Sequence, residues 1–237
     1  MLVHLVRHGE SEANRAHERS LQARPGEILP PPVWRDPALT ELGRRQAVRA
    51  GQALRSQGVE RLYTSPLLRA LETAHEIAAV AGCRVEVWGE LCETFFSSRA
   101  PFSRSEITAR FPDFALHALP CDAAGDWWTA LRDKVWDDVF RRASASAGRL
   151  RELAKSDEGS VAVVVHGGLG SSMLDHLLEL SPAQYVRFEL ANCSFSTVKL
   201  DAERGVLRQL NNTEHLTAEM RAPVLLAPGS VIAPIAR

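Results

Sequence analysis

An α/β fold, with a mostly parallel central sheet covered by helices on both faces, is what this sequence predicts. Three observations carry the reading. The apolar start Met1-Leu2-Val3 with Leu5-Val6 reads as one strand, and the unbroken run Val161-Ala162-Val163-Val164-Val165 as a second, buried on both faces. Both runs end in a His-Gly step, Arg7-His8-Gly9 and His166-Gly167-Gly168. Other strand-like runs alternate with helical patterns, as the crossover connections of a parallel sheet require. Two parallel strands then deliver two histidines to one rim, the carboxyl edge where open α/β sheets bind ligands. Taken alone, a histidine at a strand end is an ordinary polar terminus. A matched pair is not something packing asks for, and glycine beside each suggests close approach of the backbone to another group.

The elements follow in order. Residues 12–38 are polar and carry Pro25, Pro30, Pro31, Pro32 and Pro37, which predicts a long loop. Thr40 is placed to cap a helix through about Ser56, with Leu42, Ala47, Val48, Ala50 and Leu54 recurring on one side. Leu62-Tyr63-Thr64 reads as a short strand, Ser65-Pro66 as an N-cap followed by proline at the first helical position, and the helix so begun runs to Gly82. Arg84-Val85-Glu86-Val87-Trp88 is the next strand, followed by a loop carrying Glu90, Leu91, Cys92 and Glu93. The stretch 94–130 then breaks the alternation and reads as an insertion, with a capping-box pattern at Ser103 and Glu106 and the pair Trp127-Trp128. A helix from about Leu131 to Ala154 leads back to the second histidine-bearing strand, and Gly170 to Leu180 supplies another. Residues 194–200 and 206–210 form a terminal strand pair around a turn at Asp201–Gly205, and the apolar, proline-bearing tail 217–237 is not placed. The whole reads as a single domain, 1–237, with one inserted region.

Composition narrows the function by exclusion. With 28 Lys+Arg against 29 Asp+Glu there is no global basic field to hold nucleic acid or an anionic membrane, so anion binding must be local. Cys83, Cys92, Cys121 and Cys193 lack the short spacing of a zinc site and form no dense disulfide framework, which points to reduced, structural thiols. The apolar stretch at 1–6 is too short for a membrane span or a signal segment, so the expected location is the cytoplasm. The eight histidines are scattered without HExxH or a carboxylate cluster, and neither a metal nor another cofactor is expected.

Five ordered blocks resemble a known family. They are Arg7-His8-Gly9-Glu10-Ser11 with Asn14; Leu39-Thr40-Glu41-Leu42-Gly43 with Gln46-Ala47; Ser65-Pro66-Leu67-Leu68-Arg69-Ala70 with Thr73-Ala74; Glu93; and His166-Gly167-Gly168. In this order, over roughly residues 1–215, they look like the motifs of the histidine phosphatase superfamily, and the resemblance implies the phosphoglycerate mutase-like three-layer sandwich. It also implies that His8 is phosphorylated as the nucleophile, that Arg7, Arg69 and His166 line the phosphate pocket, and that Glu93 is the proton donor. Ser11, Asn14 and Gly167 are further candidates for contacts to the substrate, although capping the turn is an equal reading of the first two.

The chemistry agrees with these residue types. A neutral imidazole can attack phosphorus in line without a metal if fixed cations cover the phosphoryl oxygens, and guanidinium forks stay charged while matching two oxygens at once. The residues alone leave open whether His8 or His166 is the nucleophile, and whether Glu93, Glu90 or Glu10 supplies the proton. Many relatives carry glycine and tryptophan shortly after the acid, whereas Thr94-Phe95-Phe96-Ser97-Ser98 follows here. The expected activity is metal-independent hydrolysis of small phosphate monoesters. Two alternatives stand beside it: a phosphoglycerate mutase-type transfer and a weakly catalytic protein that holds phosphorylated ligands. The expected partner is that small substrate rather than nucleic acid or membrane, and a homodimer is left open.

Overall fold

The computed structural model describes residues 1–22, 36–93, 101–123, 126–128, 136–156, 158–181, 187–201 and 203–221. Six strands make one sheet: β1 Leu2–Arg7, β2 Val59–Thr64, β3 Arg84–Val87, β4 Ser160–Val165, β5 Phe195–Leu200 and β6 Gly205–Asn212. Their spatial order is β3-β2-β4-β1-β5-β6. The first four in that order run parallel, and β5 pairs antiparallel with both β1 and β6. The helices are α1 Glu12–Gln22, α2 Glu41–Ser56, α3 Leu68–Ala81, α4 Arg104–Arg110, α5 Trp136–Ala154 and α6 Gly167–Leu177. This is the mostly parallel, helix-covered sheet that the sequence predicts.

Period-two geometry explains why β4 has no polar residue after its first. Val161, Val163 and Val165 face the layer formed by α5 and α6, packing among Val139, Leu150, Leu169, Met173 and Leu174. Ala162 and Val164 face the opposite layer of α2 and α3, among Ala47, Leu54, Ala70, Ala74 and Ile77. Both faces are therefore dry, and an alternating pattern would bury a polar side chain. β1 divides in the same way, Val3 and Leu5 to the first layer and Val6 to the second.

Several boundaries differ from expectation, each for a local reason. The predicted loop begins as α1, opened by a reciprocal cap in which the Ser11 backbone N–H and hydroxyl donate to Asn14 Oδ1 and the Asn14 N–H donates to Ser11 Oγ. Ser65 does not cap α3, which starts at Leu68; the Leu68 N–H is bonded instead by Asp36 Oδ2 at 2.9 Å. α6 begins at Gly167 rather than Gly170, directly on His166. Thr40 does cap α2, accepting from the Gly43 N–H at 3.0 Å. The capping box at Ser103 and Glu106 also forms. The described part of the 94–130 stretch closes against the sheet edge, where the Ala115 N–H donates to Val85 O and the Val87 N–H donates to Ala115 O, both at 2.9 Å. Its Ile107, Phe111, Leu116, Leu119 and Trp127 pack on Leu67, Leu68 and Leu71 of the α3 region. Of the tail, a 3-10 turn at Ala218–Met220 lies on α2, with Gln46 Nε2 donating to Met220 O. Residues 23–35, the Thr94–Ser98 segment, the predicted start of α5 at Leu131, and residues 222–237 lie outside the described residues.

Candidate active site

Strand register brings the two histidines together. β1 and β4 are parallel, with Arg7 opposite Val165, so the next residue of each strand leaves the same edge. The His8 backbone N–H still donates to Val165 O at 2.9 Å. The two imidazole centroids lie 5.1 Å apart, and the side chains are buried, with residue exposures of 4 % and 1 %. The chain turns at Gly9 under a backbone contact from α2: a Cβ on Gly9 would sit 2.5 Å from Gly43 O, and one on Gly43 would sit 2.1 Å from Glu10 O. Two glycines are thus needed where the loop after β1 meets the start of α2.

Each ring has a distinct set of partners. His8 Nδ1 lies 2.8 Å from Gly9 O, and a carbonyl oxygen only accepts. That assigns the proton to Nδ1 and the lone pair to Nε2, which accepts from Arg69 Nε at 3.2 Å. Arg69 is the second residue of α3 and lies 4.0 Å from the buried Asp36 carboxylate. His166 Nε2 lies 2.8 Å from Ser65 Oγ, and its Nδ1 is buried with no hydrogen-bond partner among the described residues. Arg7 Nη1 donates to Leu190 O, while its Nε is likewise buried without a partner among the described residues. A Cβ on Gly167 would lie 3.9 Å from that Nε, so residue 167 adds no bulk beside it.

Electrostatics keeps the rings neutral. Burial pushes His8 well below its ordinary pKa, and the Arg69 and Arg7 charges push the same way. His166 is lowered well below its ordinary value by burial, then by Arg69, His8 and Arg7. Arg7 itself is lowered to about 10 by burial, opposed by Glu93, and so stays charged at neutral pH.

Glu93 sits at the N-terminus of α6. Its Oε2 accepts from the Gly168 N–H at 2.9 Å and the Leu169 N–H at 3.3 Å, where the helix dipole favours negative charge. Gly168 makes room for it, since a Cβ there would come within 3.1 Å of Glu93 Oε1. The other carboxylates are held elsewhere. Glu10 is bonded by Thr40 Oγ1 and by Arg15 at 3.1 Å, and Glu90 lies 3.5 Å from Arg149. Arg7, His8, Arg69, Glu93, His166 and Gly167 are therefore gathered at one edge of the sheet. Ser11 and Asn14 stand beside them, bonded to each other as the cap of α1. Among the described residues no group of three His, Cys, Asp or Glu side chains is arranged to hold a metal ion, and no helix is long and apolar enough to cross a membrane.

Three supporting residues escape the sequence reading, and a fourth, Ser65, is read there only as a helix cap and as part of a motif block. Asn192 Nδ2 donates to His8 O at 2.9 Å and to Asn14 Oδ1 at 3.3 Å, tying the loop before β5 to the end of β1. Arg142, from α5, donates to Cys92 O at 2.8 Å and so fixes the backbone next to Glu93. Asp36 is the third. Asp36 had a usable signal, an Asp-Pro step just before a helix cap; Arg142 resembles any charge on an amphipathic helix.

The family model of the histidine phosphatase superfamily (branch 1) matches residues 3–213. The chain belongs to this superfamily. A curated relative named "Probable phosphoglycerate mutase" from Photorhabdus laumondii is 28% identical over 196 residues, covering 83% of this chain and 83% of that protein. A phosphoserine phosphatase 1 from Hydrogenobacter thermophilus is 28% identical over 226 residues, covering 90% and 92%. Among solved structures, the mycobacterial glucosyl-3-phosphoglycerate phosphatase complexed with VO3 is similar with a TM-score of 0.60 and 25% identity, covering 90% of this chain and 99% of that one. The superfamily thus places this chain among both phosphatases and mutases.

Proposed function

We propose that the protein is a metal-independent phosphomonoesterase that hydrolyses small phosphorylated metabolites through a phosphohistidine on His8. One observation carries the reading: an unprotonated, buried His8 Nε2 lies against Arg69, in a site where Arg7 Nε and His166 Nδ1 are buried polar atoms with no protein partner among the described residues. Orphaned buried donors are costly unless an acceptor meets them, and phosphoryl oxygens are such acceptors.

In this mechanism His8 Nε2 attacks phosphorus as the bond to the ester oxygen breaks. Arg69 exchanges its bond to Nε2 for one to a phosphoryl oxygen, and Arg7 and His166 complete the cover of the charge that spreads over those oxygens. The departing alkoxide takes a proton from Glu93, which enters this step as the carboxylic acid and leaves it as the carboxylate. The resulting carboxylate then draws a proton from water as it attacks phospho-His8, releasing inorganic phosphate and restoring the lone pair. The relatives' names include a mutase as well as phosphatases.

The test is a rapid quench with labelled monoester. Acid-labile, base-stable label is expected on His8, with inorganic phosphate released from several monoesters without any bisphosphate primer. Label on His166 would overturn the assignment of the nucleophile. Interconversion of 3- and 2-phosphoglycerate much faster than phosphate release would make the protein a mutase, and tight binding without turnover would make it a binding protein.

A further inference from the structure

We propose that Ser65 is a positioning residue that fixes the tautomer of His166, its hydroxyl donating to Nε2 so that the ring proton resides on Nδ1. The inference deepens the reading of His166 as a donor to the phosphoryl group and rests on it. Ser65 is fully buried at the end of β2, where its backbone N–H donates to Val164 O at 3.3 Å. That bond continues the β2–β4 pairing by one residue, which is why its side chain meets His166 as the chain leaves β4.

Among the described residues Ser65 Oγ has two neighbours. The Leu67 N–H donates to it at 3.3 Å, using one lone pair, and His166 Nε2 lies 2.8 Å away. The hydroxyl hydrogen therefore has one acceptor within reach, the Nε2 lone pair. The opposite tautomer would direct an N–H at this oxygen, strand the hydroxyl hydrogen in a dry interior, and leave Nδ1 as a bare lone pair beside a polyanionic ligand. Each unmet group carries a desolvation penalty, and the two occur together. With the proton on Nδ1, the serine is satisfied at both its donor and its acceptor, and the orphaned nitrogen becomes a hydrogen-bond donor.

The two histidines then differ by their partners alone. Gly9 O uses the Nδ1–H of His8 and leaves Nε2 as a nucleophile, whereas Ser65 uses the Nε2 lone pair of His166 and leaves Nδ1–H as a donor. Both lone pairs meet a donor, but that of His166 is held by a serine hydroxyl fixed in the core, whereas that of His8 is met by Arg69, which can exchange it for a phosphoryl oxygen.

Long-range proton–nitrogen correlation spectra of histidine-labelled protein near pH 7.5 read the tautomers directly, with His8→Gln and His166→Gln assigning the rings. Wild-type His166 is expected to carry its proton on Nδ1. In Ser65→Ala a substantial fraction should move to Nε2 while His8 is unchanged, and turnover should fall about ten- to hundredfold, the worth of one hydrogen bond to a charged group. A wild-type His166 protonated on Nε2 overturns the proposal, as does an unaltered tautomer in Ser65→Ala. The wild-type spectrum decides even if the variant fails to fold. Absence of phospho-His8 with the Nδ1–H tautomer present would instead defeat the phosphatase reading and leave the tautomer assignment standing.

Discussion

Replacing Glu93 by glutamine separates its chemical role from its structural one. The carboxylate accepts two backbone N–H bonds at the start of α6, of 2.9 and 3.3 Å, and the amide oxygen of glutamine can accept both. The stability cost is then the lost charge–dipole attraction, ~0.3–1 kcal/mol, together with the lost attraction of the carboxylate to the Arg7 and Arg142 guanidiniums. Glu93→Ala, which removes the cap, should cost ~0.5–2 kcal/mol. The chemical loss is larger: a general acid contributes ~10²–10⁴-fold, or ~3–5 kcal/mol of barrier. That loss should depend on the leaving group, because an alkyl phosphate departs as a strongly basic alkoxide while p-nitrophenolate leaves without help. Single-turnover phosphorylation of His8 by the two ester classes measures the difference, with urea unfolding as the control. Gly168→Ala tests the same acid by displacement. Its Cβ would lie 3.1 and 3.2 Å from the two Glu93 oxygens, so a smaller loss with the same leaving-group dependence is expected. Equal loss on both esters in Glu93→Gln, with a selective loss in Glu90→Gln or Glu10→Gln, would refute the assignment.

Two further outcomes are expected. Activity should survive EDTA and be inhibited by vanadate, which mimics the five-coordinate phosphoryl centre; loss on chelation, restored by a divalent ion, would defeat the metal-free mechanism. Acid should destabilise the fold through His4, which is buried between Thr197 Oγ1 at 3.0 Å and Ser160 Oγ at 2.9 Å and whose pKa burial lowers from 6.5 to about 4. The unfolded chain binds this proton below pH 6.5 and the folded one only near pH 4, so stability present above 6.5 is lost across that window, by at most ~3 kcal/mol. Urea midpoints at pH 7 and pH 4 should therefore converge in His4→Leu relative to wild type, and an unchanged gap would remove His4 as the cause.

What could be read from the sequence was what depends on near neighbours. β4 was legible because both of its faces are dry, α2 because Thr40 caps it through a residue only three positions on, and the Ser103–Glu106 box for the same reason. α1 was not legible, since no residue of Glu12–Gln22 is buried and Ala13, Ala16 and Leu21 are its only apolar residues, too few to mark a core-facing stripe. Ser65-Pro66 misled because a serine before a proline has the form of an N-cap, whereas the hydroxyl is drawn off to a residue 101 positions away and Asp36 bonds the helix start instead. The site divides along the same line. His8 and His166 were visible because each ends a strand and precedes glycine, but that shared local pattern is also why sequence could not assign their roles. Arg142 and Asn192 act on the site from distant parts of the chain with no local pattern to mark them, and Asp36 is marked only by its Asp-Pro step. The two rings become different only on folding, when one meets a carbonyl at Nδ1 and the other a hydroxyl at Nε2, and the proposed roles of nucleophile and donor rest on that difference. Two nearly identical sequence steps can therefore be given opposite hydrogen-bonding surroundings, provided the fold brings each imidazole a different partner.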